Sequence, residues 1–143
     1  YPSDYILVYN LGAVSDEIKH CATTLASNKG LKIIAVEDCK VIKYADCSFN
    51  DCGPTEFVKL ISNASYVVTN SFHATAFSLI FNKEFFVYIK NTTSSRISDV
   101  LSMVKLSERM NTTNFELSVN WDNVNEMLND TICSSKNLLN NNL

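Results

Sequence analysis

His73 is the residue of this chain best placed to do chemistry. It is one of two histidines and follows the stretch Thr69-Asn70-Ser71-Phe72. An imidazole changes charge close to neutral pH, so it can hold an anion or move a proton there. The polar cluster Thr69-Asn70-Ser71 comes straight after the apolar, β-branched run Tyr66-Val67-Val68 and just before an apolar stretch over 72–81. That order reads as strand, turn and helix, with a serine of the kind that caps a helix start. The first amides of a helix lack intrahelical partners and lie at its positive end, which favours a phosphate or carboxylate. His73 is therefore the candidate catalytic residue, with a backbone-satisfied core imidazole as the plainer alternative. Ser71, Asn70 and Thr75 share the turn and either bind the same ligand or satisfy turn amides. Arg96, in the Ser/Thr-rich stretch Asn91-Thr-Thr-Ser-Ser95-Arg96, offers a planar fork for an anion or is simply solvated, with Ser95 as a helix cap. Glu56, in Gly53-Pro54-Thr55-Glu56-Phe57, either orients a basic group or is an ordinary first-turn acid.

Other chemistries find little support. There is no GxGxxG, Walker-type lysine loop, GxSxG or HExxH, and only three glycines are present, too few for a dinucleotide fold of the usual type. A receiver domain would need a phosphoacceptor aspartate where the first strand ends, and Tyr9-Asn10 stands there. The net charge is −3, from 12 basic and 15 acidic residues, with no basic run, so nucleic acid and anionic membranes are not expected partners. No apolar stretch approaches a transmembrane length. Five cysteines, odd in number and irregular in spacing, suggest reduced thiols in a cytosolic protein. Cys47 and Cys52 have no histidine nearby to complete a zinc set, and neither metal nor cofactor is expected. Four Asn-x-Ser/Thr matches, at Asn63, Asn91, Asn111 and Asn129, carry no weight without secretion.

The elements that must hold these residues follow from the hydrophobic pattern. Residues 4–10 read as a central strand, apolar almost throughout. Ser15 caps a helix whose apolar positions Ile18, Cys21, Ala22, Leu25 and Ala26 recur at helical spacing, and Gly30 stops it. Residues 31–36 form a second strand, completing a right-handed βαβ unit. Residues 37–52 read as loop, with a short strand conceivable over 41–44. Pro54 opens a helix that ends at Ser62-Asn63, with Phe57, Val58, Leu60 and Ile61 on its apolar face. Strands follow over 66–68 and 85–89, flanking the helix over 72–81. A helix spans 96–105, residues 107–120 are irregular, and short helices cover 122–128 and 134–139 before a fraying Asn140–Asn142 tail. Strands alternating with helices make one α/β, Rossmann-like three-layer domain over residues 1–143, with a mostly parallel sheet of four or five strands.

Gly53-Pro54-Thr55-Glu56-Phe57, followed by Asn63-Ala-Ser-Tyr-Val-Val-Thr-Asn-Ser-Phe-His73-Ala-Thr-Ala-Phe-Ser-Leu-Ile-Phe-Asn-Lys-Glu-Phe86, resembles the polysaccharide pyruvyl transferase family. The likeness continues through Ser95-Arg96-Ile97 and Leu101 to the stretch from Ser134 to Leu138-Leu139, and is densest over 53–97. The resemblance implies a two-domain, GT-B-like enzyme with its site in the cleft between Rossmann-like halves. This chain, starting at Tyr1, would be the C-terminal half, inactive without the missing N-terminal domain. It further implies transfer of a pyruvyl group from phosphoenolpyruvate to a sugar, as a ketal, on a surface polysaccharide or its lipid-linked precursor. Location would be cytoplasmic or at the inner face of the membrane. Position 73 and position 96 match family positions expected to bind the donor. Two departures stand out: Ser71, where some members have arginine, and Ala74, where glycine is common. They leave room for another donor. The alternatives are a GT-B glycosyltransferase domain taking a nucleotide sugar, and a non-catalytic binding module.

Overall fold

The computed structural model describes residues 4–11, 15–36, 42–49, 53–89, 96–115 and 118–129. Strand β1 (Tyr5–Tyr9) leads through helix α1 (Asp16–Lys29) to β2 (Lys32–Val36) and then β3 (Cys47–Phe49). Helix α2 (Pro54–Asn63), β4 (Tyr66–Thr69), α3 (Phe72–Ile80) and β5 (Glu84–Val87) follow. The chain continues with α4 (Arg96–Met103), a 3-10 turn (Ser107–Arg109) and a helix over 121–129. The five strands form one sheet in the order β3-β2-β1-β4-β5, every pair parallel. This is the Rossmann-like order expected of a doubly wound domain.

The pleat explains how two cores form from nearly continuous apolar strands. Successive side chains point to opposite faces. Tyr5, Leu7, Ile34, Val67, Phe85 and Val87 meet α2, α3 and α4 through Leu60, Ile61, Leu79, Ile97 and Leu101. Ile6, Val8, Ile33, Ala35, Val68 and Phe86 meet α1 through Ile18, Cys21, Ala22 and Leu25. Both faces of β1 are covered, so its residues 5–8 are all buried. Moving from β1 to β2 uses a helix on one face, and moving from β4 to β5 uses a helix on the other. Right-handed crossovers in opposite directions require that arrangement.

Local signals set the helix ends. Ser15 Oγ accepts from the Ile18 amide at 3.3 Å to start α1, and Gly30 ends it at φ 66°, a left-handed conformation natural to glycine. Pro54 opens α2 where its missing N–H costs nothing. No helix among the described residues is long and apolar enough to cross a membrane.

Two stretches differ from the sequence-based expectation. Residues 42–45 form a turn rather than a strand, and the third strand is Cys47–Phe49, inside the stretch read as loop. It is an edge strand with Cys47 and Ser48 exposed, so no burial pattern marks it. Residues 107–120, read as irregular, contain a buried cation. Arg109 is fully buried; its guanidinium donates to Glu84 Oε2 at 2.8 Å and to the Phe85 carbonyl at 3.2 Å, and stacks 5.0 Å above the Phe86 ring. Next to it Met110 bridges Val87 in parallel fashion, extending the sheet beyond β5. Glu84 Oε1 also accepts from the Val119 amide at 3.1 Å. The expected helix over 134–139 and the tail over 140–142 lie outside the described residues.

Removing the carboxylate would leave a buried guanidinium without its counter-charge. Glu84→Ala is therefore expected to lower stability by about 3 kcal/mol, read as a fall in the urea midpoint. An unchanged midpoint would mean the pair is energetically idle.

Candidate functional site

In a doubly wound sheet the strand order reverses between two neighbours, and their diverging ends leave a crevice at the carboxyl edge. Here the reversal falls between β1 and β4. The chain leaving β1 goes to α1 on one face, and the chain leaving β4 goes to α3 on the other. Short polar side chains hold the parting ends together. Thr69, fully buried, donates its hydroxyl to the Tyr9 carbonyl at 2.7 Å and accepts the Ser71 amide at 2.9 Å. Asn70 pairs with the backbone of Leu11 in both directions, its Oδ1 accepting from the amide at 2.7 Å and its Nδ2 donating to the carbonyl at 2.9 Å. That side-chain amide continues the β1–β4 ladder by one step after the strands have ended. Asn10 Oδ1 accepts the Ser15 amide at 2.9 Å, fixing the start of α1.

Helix α3 begins at this seam. Ser71 is its N-cap and its Oγ accepts from the Ala74 amide at 3.4 Å. The Ser71 carbonyl accepts both the Thr75 amide at 3.1 Å and the Thr75 hydroxyl at 2.8 Å. Thr75 is fully buried, so its polar group is spent on the first turn of the helix. Ser71 is buried as well, and its amide and those of Ala74 and Thr75 are taken, so among the described residues the Phe72 and His73 amides have no partner in the first turn of α3.

His73 is exposed at the second position of α3, its ring 5.9 Å from that of Phe72 and edge-on to it. Arg96 is the first residue of α4 and is exposed, its guanidinium centred 4.4 Å above the same Phe72 ring. Phe72 itself packs on the core formed with α2, α3 and α4. One half-buried aromatic ring thus carries the cation on its face and the imidazole near its edge, and it brings together the two residues that the sequence singles out. Among the described residues the one ion pair is Arg109 with Glu84, so Arg96 has no carboxylate partner there. For the same reason Glu56, exposed in the first turn of α2, orients no basic group among the described residues. Ser95 lies outside them. The sequence reading missed Phe72. Its one signal is position: an aromatic between a capping serine and a histidine.

Cys21 is no candidate nucleophile. Burial pushes its thiol up to about 12, only partly offset by a hydrogen bond with Tyr88. Burial, with the nearby Cys21, also raises Tyr44 to about 12 and moves Tyr88 in the same direction. No group of three or more residues that could hold a metal ion occurs among the described residues.

A family model described as "Polysaccharide pyruvyl transferase" matches residues 1–90 of the chain. The match contains the seam, the Ser71 cap and His73; it stops before Arg96 and before the stretch from Ser134 onward. No curated protein and no solved structure matches.

Two outcomes follow from this geometry. Asn70→Ala should cost about 1 kcal/mol of stability and speed hydrogen exchange at the Leu11 amide, which loses its acceptor; unchanged exchange would mean the clasp is not formed in solution. Alkaline pH should destabilise the fold. An unfolded chain releases the cysteine proton near pH 9, whereas folded Cys21 holds it to about 12. Between those values the unfolded state binds fewer protons, so stability falls as pH rises. The urea midpoint should decline above pH 9, less steeply in Cys21→Ala; equal slopes would remove Cys21 as the cause.

Proposed function

The chain belongs to the polysaccharide pyruvyl transferase family, and we propose from this that it binds phosphoenolpyruvate where α3 begins and helps transfer its pyruvyl group to a sugar. The observation that carries the reading is the Arg96 guanidinium, without a carboxylate partner among the described residues, stacked on Phe72 beside His73 and the first amides of α3.

Phosphoenolpyruvate carries two anionic groups joined to one enol carbon. Its site needs a cation that can grip one group and donors that can grip the other. Arg96, held flat by the aromatic face beneath it, presents a bidentate edge to the carboxylate. His73 and the Phe72 and His73 amides take the phosphate, as a helix start favours. Asn70, Ser71 and Thr75 shape and hold that turn.

The reaction adds a proton to the methylene carbon of the enol, making it a methyl group, while a sugar hydroxyl bonds to the neighbouring carbon and gives up its proton. Phosphate then leaves with the electrons of its C–O bond as a second hydroxyl adds and loses its proton, closing the ketal. His73 donates a proton to the enol or stabilises the departing phosphate. The acceptor is a sugar of a polysaccharide or of its lipid-linked precursor. A second Rossmann-like half facing this one across a GT-B-like cleft would complete the acceptor side. The setting would be the cytoplasm or the inner face of the membrane. The exposure of His73 and Arg96 suits a site closed by another surface. The family match favours this reading over a nucleotide-sugar glycosyltransferase.

Titration of phosphoenolpyruvate and of UDP-glucose, followed by thermal unfolding, separates the two. Phosphoenolpyruvate should raise Tm and UDP-glucose should not, since only a ligand of the folded state stabilises it. Arg96→Lys, which loses fork and stacking together, should abolish that rise. In the intact enzyme His73→Ala should cut turnover by about 100-fold or more. Stabilisation by UDP-glucose alone, or near-normal turnover of His73→Ala, would overturn the reading.

A further inference from the structure

The second histidine is not part of the seam. His20 lies on α1, and its ring sits 5.7 Å from that of Phe115. The two rings in contact line a recess of about 290 Å³ at the carboxyl edge of the sheet, on the α1 face. Tyr88 lines it from the end of β5, Asp16 and Glu17 from the start of α1, and Thr112 from the segment after the 3-10 turn. The walls are held firmly. Phe115 meets the Phe86 ring edge-on at 5.8 Å, and the Tyr88 hydroxyl donates to the Thr112 carbonyl at 2.7 Å.

We propose that this recess holds a neutral sugar ring of the acceptor glycan, away from the ring that receives the pyruvyl group. The inference rests on the pyruvyl-transfer reading only for why a glycan should be present. Its chemistry comes from the walls. A sugar has faces of C–H bonds and a belt of hydroxyls. The His20, Phe115 and Tyr88 rings offer flat apolar surface for the faces. The exposed carboxylates of Asp16 and Glu17 offer acceptors for the belt, and the Thr112 hydroxyl, which already accepts the Asn114 amide at 3.1 Å, offers a donor. Two carboxylates at the mouth disfavour a phosphate or a second phosphoenolpyruvate. The volume lies at the small end of ligand pockets, suited to one ring and its linkage rather than a long lipid tail.

The recess and the His73–Arg96 site share the carboxyl edge but lie on opposite faces of the sheet. One glycan crossing that edge would engage both, and binding a distant unit would hold the reacting unit in place.

The chain has two histidines, one in each site, so their imidazole C–H signals report the sites separately. Chitotriose, cellotriose and maltotriose would each be titrated to about 20 mM, well above a millimolar Kd. Phosphoenolpyruvate and inorganic phosphate would be titrated in parallel. At least one trisaccharide should move the His20 signal and leave His73 in place. Phe115→Ala should weaken that response about tenfold, the worth of one aromatic contact. If Phe115→Ala loses its native amide spectrum, Asp16→Asn on the exposed start of α1 replaces it, with a several-fold weakening expected. A His20 signal indifferent to all three saccharides, or moved more by phosphate than by any of them, overturns the inference. So does unchanged affinity in the folded variant. A His73 signal that ignores phosphoenolpyruvate while His20 responds to a saccharide would sink the donor reading and leave the sugar site standing.

Discussion

Two adjacent parallel strands that send their chains to opposite faces must separate without leaving buried amides and carbonyls unpaired. That constraint, at the ends of β1 and β4, organises the molecule. Buried polar groups without partners cost as much as the hydrogen bonds they forgo, so a crevice here exists only if side chains take over from the ladder. Thr69 does so inside the core, bonding Tyr9 across the seam and Ser71 along its own chain. Asn70 does so at the surface, where its side-chain amide pairs with Leu11 as another strand residue would. With the ends pinned, α3 starts at a defined place, and the direction of its first amides is set.

Arg96 and His73 both lie against one ring. Phe72 belongs to the core by packing and to the surface by its exposed face. A flexible arginine lying on that face gives up part of its rotamer freedom. The stack contributes about 0.5–1 kcal/mol at an exposed position, enough to bias the fork without anchoring it. The anchoring comes from Ile97 and Leu101, which bury α4 against the same core.

How much of this was legible in the sequence depends on range. The β4–turn–α3–β5 unit was readable because each of its signals is local: an apolar run, a capping serine, an apolar helix. The same holds for α1, bounded by Ser15 and Gly30, and for α2, opened by Pro54. Strand β3 escaped because an exposed edge strand has no burial pattern to read. Arg109 escaped because its partner Glu84 is 25 residues away and nothing in its polar neighbourhood predicts burial. Asn70 and Thr75 were readable as polar turn residues, but their partners, Leu11 and the Ser71 carbonyl, became evident only when the strands were paired. Position and residue type alone single out His73 and Arg96, and the Phe72 ring that both touch carries no signal at long range in the sequence.

The two faces of the sheet are covered unequally, and this links the buried ion pair to the α1 side. Among the described residues α2, α3, α4 and the helix over 121–129 pack on one face, while α1 is the helix on the other. Over β4 and β5 on that poorer face, Phe86 is stacked by Tyr66 at 6.5 Å and met edge-on by Phe115. Phe115 reaches this position from the segment that Arg109 fastens to Glu84 and that Asn111 fastens to Ile89, with bonds of 2.8 Å and 2.9 Å in the same two-way pattern as Asn70. A hydrophobic residue in place of Arg109 could fill the core, but it could not reach a carboxylate and a carbonyl at once. The charged pair therefore specifies where the segment lies more than how strongly it is held, the role that buried ion pairs best support. The segment is held further along by Asn111 on Ile89 and Val87 and by the Tyr88 hydroxyl on the Thr112 carbonyl, so the ion pair is one of several ties that set Phe115 against Phe86. The geometry on the α1 face thus depends on this buried ion pair together with the Asn111 and Tyr88 bonds beside it.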